Sequence, residues 1–259
     1  MTADRTLAPF GRRLCPVVSH APAGAYDVIA VLDAEGPPPD PGQFYMLAAG
    51  ERWGGGADER PFLPRAFSVL RRHDDGRLEF LFEDVGPGTR RLCELRAGDG
   101  LWLLGPLGVG FRAPDDERRP LLVGGGVGIA PLAILQDVIG APALLGFRDA
   151  PHAEGAGLLT DPRVATDDGS VGFHGLVTEL LREELDSASA VYACGPPPML
   201  EAVRALCEAE DVPAQLALES GMACGYGACF GCVVPTREGY VRLCVEGPVL
   251  DAAALDLVA

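Results

Sequence analysis

Four of the eight cysteines in this 259-residue chain crowd into one short stretch near its C-terminus. Their spacing is C-x4-C-x2-C-x11-C, which puts three thiols on one loop and brings the fourth from further along the chain. The glycines between them let the backbone wrap closely around a bound group and point N–H groups at sulfur. Four thiolates in this pattern are typical of a plant-type [2Fe–2S] cluster. The predicted iron ligands are Cys224, Cys229, Cys232 and Cys244.

Two other uses of these cysteines have to be weighed against a cluster. Structural zinc usually takes its ligands from two short hooks such as C-x2-C, and the second hook is missing here. A non-catalytic zinc-binding adaptor is therefore the alternative from another functional class. Paired disulfides would need an oxidising compartment, for which the sequence carries no signal. Outside this stretch, Cys15, Cys93 and Cys207 are interpreted as ordinary buried thiols.

A second group of residues has the chemistry to hold a phosphate-containing ligand. The tetrapeptide Arg65-Ala66-Phe67-Ser68 begins a predicted strand, where an arginine can clamp a pyrophosphate through two parallel hydrogen bonds. Phe67 offers a stacking face, and the Ser68 hydroxyl can bond the edge of a ring. Taken alone, this pattern is more often a surface arginine followed by a core strand.

A glycine-rich turn, Gly86-Pro87-Gly88-Thr89, opens a short predicted helix. Free N–H groups and the helix dipole converge at such a start, so Gly88 and Thr89 form a candidate anion site. The alternative is a plain turn in which Thr89 is the N-cap. Gly105-Pro106-Leu107-Gly108, which follows the last predicted strand of this half, is interpreted as a tight turn.

A run of glycines, Gly124-Gly125-Gly126-Val127-Gly128, lies between a short buried strand and an apolar helical stretch. This order is typical of a nucleotide-binding loop, although GGGxG departs from the G-x-G-x-x-G fingerprint. Further on, Cys194-Gly195-Pro196 ends another predicted parallel strand, and ligands of open α/β sheets bind beyond the carboxyl ends of strands. Cys194 would then face a nicotinamide ring from the cleft, or else be a small apolar strand residue.

Charged residues after the second strand of this half bear on the choice between NAD and NADP. Asp149 and Glu154 are placed to accept a hydrogen bond from a ribose 2′-hydroxyl. No cluster of Arg and Lys for a 2′-phosphate is evident, although Arg148 is present, so NAD is favoured. The stretch Asp167-Asp168-Gly169-Ser170 is either a loop beside the nucleotide or a solvated turn.

Short strands separated by Gly, Pro and Asp must position the candidate phosphate-binding residues in the first half of the chain. Strands at this spacing, interrupted by one helix at Thr89–Leu95, predict an antiparallel barrel or sandwich over residues 1–113. The predicted strands are Arg12–Val18, Tyr26–Leu32, Gln43–Leu47, Ala66–Arg71, Arg77–Phe82 and Leu101–Leu104.

Strands and helices alternate after residue 113, which predicts a parallel α/β sheet over residues 114–218. The predicted strands are Leu121–Val123, Ala143–Phe147, Val191–Cys194 and Gln215–Leu218, and the predicted helices are a run ending at Ile139, Leu176–Leu185 and Met199–Glu210. Residues 219–259 form the cluster-binding segment, with a strand-like stretch at Tyr240–Val245. A segment this short is too small to fold by itself without its metal.

The composition limits the possible partners. With 21 basic and 37 acidic residues the chain has a net charge of −16, which argues against binding to nucleic acid or to an anionic membrane surface. No apolar run reaches the roughly 18 residues of a membrane-spanning helix, and the N-terminus lacks the layout of a signal peptide. These features predict a cytoplasmic protein.

The order of a predicted barrel, an α/β half and a cysteine segment resembles the ferredoxin–NADP reductase superfamily. Within it, the chain resembles the electron-transfer subunits of bacterial class 1B dihydroorotate dehydrogenases. The cysteine segment, with its trailing Gly247-Pro248-Val249, is the most specific part of the resemblance. The matching stretches are Arg65–Ser68, Gly86–Thr89, Gly105–Gly108, Gly124–Leu132, Thr166–Gly175, Cys194–Met199, Glu219–Cys232 and Cys244–Val249, and they span nearly the whole chain.

The resemblance implies a Greek-key β-barrel that binds FAD, a parallel-sheet domain that binds NADH, and a small [2Fe–2S] segment. Arg65 and Thr89 would hold the FAD pyrophosphate, and Ser68 would lie near the flavin ring. NADH gives two electrons as hydride and the cluster takes one at a time, and a flavin can do both. No catalytic acid, base or nucleophile is then required.

The resemblance also implies a partner. This is an FMN-containing catalytic subunit that carries the dihydroorotate site, in a heterotetramer of two copies of each subunit that serves pyrimidine biosynthesis. The alternative within the superfamily is a flavin subunit of an NADH-dependent ferredoxin–NADP oxidoreductase or of a sulfide dehydrogenase. Four cysteine ligands favour the dihydroorotate dehydrogenase subunit.

Two features depart from the pattern of this family. Ala66 stands where the family often has proline, while the neighbouring arginine and serine are kept. The insertion Gly50–Arg60 carries Trp53 followed by three consecutive glycines, and it would cover a flavin edge or a partner surface.

Overall fold

The computed structural model describes residues 11–54, 60–114, 117–186 and 189–256. Its first part is a closed antiparallel barrel of six strands, which confirms the predicted barrel. The strands are β1 (Arg13–Ala23), β2 (Tyr26–Leu32), β3 (Phe44–Ala49), β4 (Arg65–Arg72), β5 (Arg77–Phe82) and β6 (Gly100–Leu107). Around the barrel they follow the order β1-β2-β5-β4-β3-β6, a Greek-key arrangement.

Apolar side chains that alternate along the strands fill the barrel. Ile29, Tyr45 and Phe80 have no exposed surface and belong to one core cluster. The helix α1 (Pro87–Cys93) lies between β5 and β6, and its Leu92 is fully buried in the same cluster. The helix is therefore packed on the barrel core through its last turn.

The second part is a seven-stranded sheet, and its alternation of strands and helices confirms the predicted α/β half. The strands are β7 (Arg119–Gly125), β8 (Ala143–Phe147), β9 (Arg163–Thr166), β10 (Phe173–His174), β11 (Ser189–Cys194), β12 (Ala214–Ala217) and β15 (Val249–Asp251), and the helices are α2 (Ala130–Ile139), α3 (Ala150–Ala153), α4 (Val177–Glu184) and α5 (Pro197–Ala209). The sheet order is β10-β9-β8-β7-β11-β12-β15, and only the last pair is antiparallel. None of the helices in the described ranges is long and apolar enough to cross a bilayer.

The C-terminal segment packs between the barrel and the sheet. Its hairpin consists of β13 (Val233–Thr236) and β14 (Gly239–Arg242), and the chain then returns to the sheet as β15. Leu243 is fully buried in a core cluster that also contains Met46 of the barrel and Leu216 of the sheet. The three parts therefore share a core, while the domain limits at residues 113 and 218 stay a prediction.

A buried ion pair lies inside the barrel wall. The Arg13 guanidinium donates to both carboxylate oxygens of Asp33, at 2.7 and 2.6 Å, and to the carbonyl of Gly105 at 2.8 Å. Asp33 is only 4% exposed. Removing one partner would leave the other charge buried and uncompensated, which is more costly than losing an exposed pair.

We therefore expect Asp33→Asn to lower the free energy of unfolding by about 3–5 kcal/mol. The exposed pair between Arg237 and Glu208 is the matched control, and Arg237→Gln should cost less than about 1 kcal/mol. Urea denaturation of the two variants measures the difference. Equal costs for the two variants would show that the barrel does not depend on this pair.

Candidate functional site

Two adjoining cavities lie between the barrel and the sheet. The barrel cavity has a volume of about 240 Å³ and the sheet cavity about 690 Å³. The barrel cavity is lined by Phe44, Ala66, Phe67, Ser68, Leu81, Phe82, Glu83, Val85, Thr89, Val127, Ala130, Leu218, Glu219, Ser220, Met222 and Pro248. The sheet cavity is lined by Tyr26, Glu83, Gly125–Gly128, Gly146–Arg148, His152, Asp167, Leu176–Thr178, Gly195–Met199, Ala202 and Glu219. Glu83, Val127 and Glu219 line both, so the two cavities meet at these side chains.

The barrel cavity brings together residues that are distant in sequence. Ala66, Phe67 and Ser68 come from β4 and Thr89 from α1, as the sequence analysis grouped them. The Ser220 hydroxyl oxygen in the same wall is buried and has no hydrogen-bond partner within the described residues. A buried polar atom without a partner costs free energy, so it favours a ligand with a polar edge in this cavity.

Arg65 lies just beyond this cavity, against the start of α1. A Cβ added to Gly88 would lie 2.6 Å from the Arg65 Nε, so the guanidinium needs the glycine beneath it. Arg65 donates to the carbonyl of Leu63 at 2.6 Å, and no carboxylate in the described ranges pairs with it. The two predicted anion-binding elements are therefore adjacent, and no carboxylate among the described residues neutralises the cation.

Thr89 occupies the third position of α1, while Gly86 is the N-cap. Its hydroxyl oxygen accepts hydrogen bonds from the backbone N–H of Val85 at 2.9 Å and of Gly86 at 3.1 Å. The side chain thus holds the turn in shape and also lines the barrel cavity. This differs from the plain-turn alternative, which made Thr89 itself the N-cap.

The glycine run lines the sheet cavity and packs closely against the end of β11 and the start of α5. A Cβ on Gly128 would lie 2.5 Å from the carbonyl oxygen of Cys194, and one on Gly125 would lie 2.6 Å from the Met199 sulfur. Gly126 has a φ of 54°, a conformation that favours glycine. The sheet cavity is also lined by Gly195 and Pro196, whereas Gly124 faces core side chains.

Cys194 ends β11 next to the cavities but does not line either of them. It is 2% exposed and belongs to the core of the sheet. Burial, with a smaller contribution from the nearby Glu219 carboxylate, raises its pKa well above the usual value of a thiol. This placement agrees with the alternative that Cys194 is a small apolar residue of a strand. Its role towards a nicotinamide ring stays a prediction.

Several residues of the sheet cavity carry no local sequence signal. The Tyr26 hydroxyl is buried and has no partner within the described part of the chain. Across the cavity, the Arg148 guanidinium donates to the Glu83 carboxylate at 2.5 Å and so joins the sheet to the barrel. Glu219 lies where the cavities meet, and burial raises the pKa of its carboxyl group.

Neither of the acidic residues predicted to bind the ribose lines the sheet cavity, whereas Asp167 of the predicted loop or turn does. Asp149 instead caps α3 and bonds the backbone N–H and the ring of His152, and Glu154 does not line the cavity. Asp168 accepts from the backbone N–H of Ser170 at 2.9 Å and from its hydroxyl at 2.6 Å, which makes it a turn residue.

The four predicted cysteine ligands form two pairs. The sulfurs of Cys232 and Cys244 are 3.2 Å apart, and the Cys229 thiol is close enough to Cys224 to help lower its pKa. In the described ranges no three His, Cys, Asp or Glu side chains surround a single metal-ion position. Two pairs match two irons with two thiolates each better than one tetrahedral zinc.

Backbone N–H groups point at the sulfur of Cys224. Burial acts to raise its pKa, but N–H donors of Tyr226, Cys229 and Ala228, with the Cys229 thiol, more than offset this and lower the pKa to about 6. Burial and the neighbouring Cys232 raise the pKa of Cys244 to about 12. The loop therefore supplies the N–H donors that stabilise thiolate ligands.

The cysteine segment begins in the wall of the barrel cavity. Ser220 and Met222 line that cavity, and Cys224 follows two residues later. Gly225 packs on the barrel, because a Cβ there would lie 2.5 Å from the side chain of Met46. The thiols are thus held beside the barrel cavity by the same stretch of chain.

Residues 219–256 match the family model of the iron–sulfur cluster binding domain of dihydroorotate dehydrogenase B. Among curated relatives, the electron transfer subunit of dihydroorotate dehydrogenase B (NAD(+)) from Caldanaerobacter subterraneus subsp. tengcongensis is 39% identical over 226 residues, covering 84% of this chain and 87% of that protein. The subunit of the same name from Clostridium acetobutylicum is 36% identical over 223 residues, covering 84% and 86%.

Solved structures confirm the fold. The NADH-dependent reduced ferredoxin–NADP oxidoreductase superposes with a TM-score of 0.76 at 24% identity, covering 96% of this chain and 91% of that chain. A ferredoxin NADP+ reductase from Neisseria gonorrhoeae with bound FAD and NADP gives a TM-score of 0.63 at 18% identity, covering 77% and 91%. These similarities show a shared architecture, and the closer sequence similarity shows the family. The chain belongs to the family of dihydroorotate dehydrogenase B electron transfer subunits.

Proposed function

We propose that the chain carries electrons between NAD(H) and the FMN-containing catalytic subunit of a dihydroorotate dehydrogenase, by way of FAD and a [2Fe–2S] cluster. The observation that carries this proposal is the continuity of three sites. The two cavities share Glu83, Val127 and Glu219, and the wall of the barrel cavity runs directly into the cysteine segment. The names of the curated relatives support the same assignment.

FAD fits the barrel cavity and the surface next to it. The flavin ring would lie against Phe67 and Ser68, where the unpartnered Ser220 hydroxyl supplies a polar contact. The pyrophosphate would lie at Arg65 and the Gly88–Thr89 turn, because a guanidinium that pairs with no carboxylate of the described residues attracts an anion. The cavity alone is smaller than the roughly 300–1,000 Å³ of pockets for drug-sized ligands, so the nucleotide end extends past Arg65.

The nicotinamide dinucleotide fits the sheet cavity. Gly125, Gly126 and Gly128 leave room for its phosphates beside the strand end, and Gly195 and Pro196 form the opposite wall. The Tyr26 hydroxyl, which has no partner in the described residues, is a donor for it. The side chains that line both cavities then bring the nicotinamide close to the flavin ring.

The cluster would be held by Cys224, Cys229, Cys232 and Cys244, whose pairing and N–H donors suit iron. A bound flavin supplies the exchange between a hydride pair and single electrons. The chain's own residues would place and shield the cofactors, and the exchange of electrons requires no acid, base or nucleophile from the chain.

We further propose that the chain assembles with its catalytic subunit as a heterotetramer of two copies of each, in the cytoplasm, as part of pyrimidine biosynthesis. The relatives are named as electron transfer subunits, which implies a catalytic partner. Coexpression with an FMN-containing dihydroorotate dehydrogenase subunit tests this directly. We expect a stable complex that reduces NAD+ when dihydroorotate is supplied. A yellow-brown chain that never binds this subunit and reduces ferredoxin with NADPH would instead favour the ferredoxin oxidoreductase role.

Asp167 provides a test of the preference for NAD. Its carboxylate in the sheet cavity can accept from a ribose 2′-hydroxyl and repels a 2′-phosphate. We expect Asp167→Ser to weaken NAD+ binding about tenfold, because a hydrogen bond to a charged group is lost, and to strengthen NADP+ binding. Calorimetric Kd values for the two nucleotides measure this.

Asp168→Ser is the matched control for this substitution, since Asp168 holds the adjacent turn outside the cavity. It should leave the ratio of the two Kd values unchanged. If Asp167→Ser also leaves that ratio unchanged while NAD+ still binds, Asp167 does not select the nucleotide.

A further inference from the structure

The insertion Gly50–Arg60 is anchored against α1. The Arg52 guanidinium pairs with Glu94 at 2.9 Å, and Arg91 of α1 donates to the carbonyl of Glu51 at 3.3 Å. The N–H of Gly54 donates to the carbonyl of Pro61 at 2.8 Å and closes the base of the loop. Residues 55–59 lie outside the described residues, but Glu51 and Arg52 of the insertion are fixed beside the C-terminal end of the helix.

These anchors place Trp53 over Arg65. The Arg65 Cζ lies 5.9 Å from the centre of the Trp53 ring, within the range of a cation–π contact. Gly88 lies against the same guanidinium. Arg65 is thus held between an indole and the start of α1, with one hydrogen bond to a backbone carbonyl.

The choice of an indole at this position has a cost. The Trp53 Nε1 is buried and has no hydrogen-bond partner in the described ranges, and an unpartnered buried donor is unfavourable. A phenyl ring would avoid this cost, but tryptophan is the strongest aromatic partner for a cation. The arrangement is explained if holding the guanidinium of Arg65 matters more than satisfying the indole N–H.

We propose that Trp53 is a positioning residue for FAD, which acts by holding the Arg65 guanidinium where the pyrophosphate binds. The inference rests on the proposed binding of FAD at the barrel cavity. It gives Trp53, in the described part of the insertion, a function within this chain, because its ring contacts the arginine of the pyrophosphate site. Without the ring, Arg65 would keep its charge but lose its fixed orientation, so the phosphates would bind less tightly while the flavin ring would be unaffected.

The test compares FAD with riboflavin, which has the same ring system and no phosphate. Apoprotein is titrated with each, and Kd is obtained from flavin fluorescence. Trp53→Leu should weaken FAD binding about tenfold, as expected for losing a desolvated cation–π contact, and leave riboflavin binding unchanged. Trp53→Phe, which keeps a weaker aromatic partner, should restore part of the FAD affinity.

The matched control is Trp102→Leu, because Trp102 also lies under an arginine, with the Cζ of Arg12 5.4 Å from its ring, but away from the cavities. It should leave both affinities unchanged. Equal loss of FAD and riboflavin in Trp53→Leu, unchanged FAD affinity, or no recovery in Trp53→Phe would each overturn the inference. A wild-type chain that binds riboflavin but not FAD would overturn the proposed FAD site itself.

Discussion

Cys229→Ser should abolish the visible absorbance of the cluster while FAD stays bound. Changes to groups that only support metal ligands cost about 10–100-fold in metal affinity, so removal of a ligand should cost at least the upper end of that range. Cys229 is exposed, so its replacement does not disturb a core. The flavin site depends on β4 and α1, which lie far from this loop in sequence. Electron transfer to the catalytic subunit should fall by about a hundredfold or more, while reduction of an artificial dye by NADH continues.

Cys93→Ser is the matched control for this variant. Cys93 is a half-buried free thiol beside the Asp27 carboxylate, outside the cysteine segment, and serine can keep that contact. It should retain iron, flavin and activity. If Cys229→Ser lost FAD together with the cluster, the two sites would not be separate, and if it kept a normal cluster, Cys229 would not be a ligand.

Gly128→Ala should destabilise the chain and weaken the binding of NADH in the sheet cavity. Its Cβ would lie 2.5 Å from the carbonyl oxygen of Cys194 and 2.6 Å from the N of Gly195, and both are backbone atoms that cannot rotate away. The glycine turn must therefore move off the end of β11. We expect a loss of about 1–3 kcal/mol in the free energy of unfolding, as for other overpacked sites, and a rise of at least about tenfold in the Kd for NADH.

Gly157→Ala is the control for this substitution, because a Cβ at Gly157 meets no atom within 4 Å. It should change neither quantity. Thermal unfolding and NADH titration of both variants measure the change in stability and the change in Kd. Normal NADH affinity in Gly128→Ala would show that the glycine turn does not shape the nucleotide site.

Elements with a strong local pattern were predictable from the sequence. The strands Tyr26–Leu32, Arg77–Phe82 and Ala143–Phe147 have the predicted limits, because alternating or continuous apolar residues end at clear turns. The short strands β9 and β10, the last two on one side of the sheet, were not predicted. Their four and two residues are set by pairing with neighbours rather than by propensity.

The site residues that could be predicted are those that lie close together in the sequence as short motifs. Ala66–Ser68 lie on one strand, the glycine run on one turn and three of the four cysteines on one loop. The structure brings each group to a cavity wall or to its partner thiols. Glu83, Tyr26 and Glu219 were missed because each comes alone from a different element. Only the folded chain shows that Glu83 and Glu219 meet where the cavities join.

The choice among the acidic residues shows the same limit. Asp149 follows β8, as a ribose-binding carboxylate should in an α/β sheet. Its carboxylate, however, accepts a hydrogen bond from the backbone N–H of His152. Asp167 follows the next strand and faces the cavity instead. Which carboxylate is free depends on side-chain partners that spacing along the chain does not reveal.

An anaerobic titration of the purified chain with NADH, followed by visible absorbance, tests the central claim most directly. The account predicts bound FAD and a [2Fe–2S] cluster in each chain, and it predicts that NADH lowers the absorbance of both. A flavin band that falls while the cluster band never changes would contradict the proposed route. A colourless chain that contains zinc and no flavin would contradict the account as a whole.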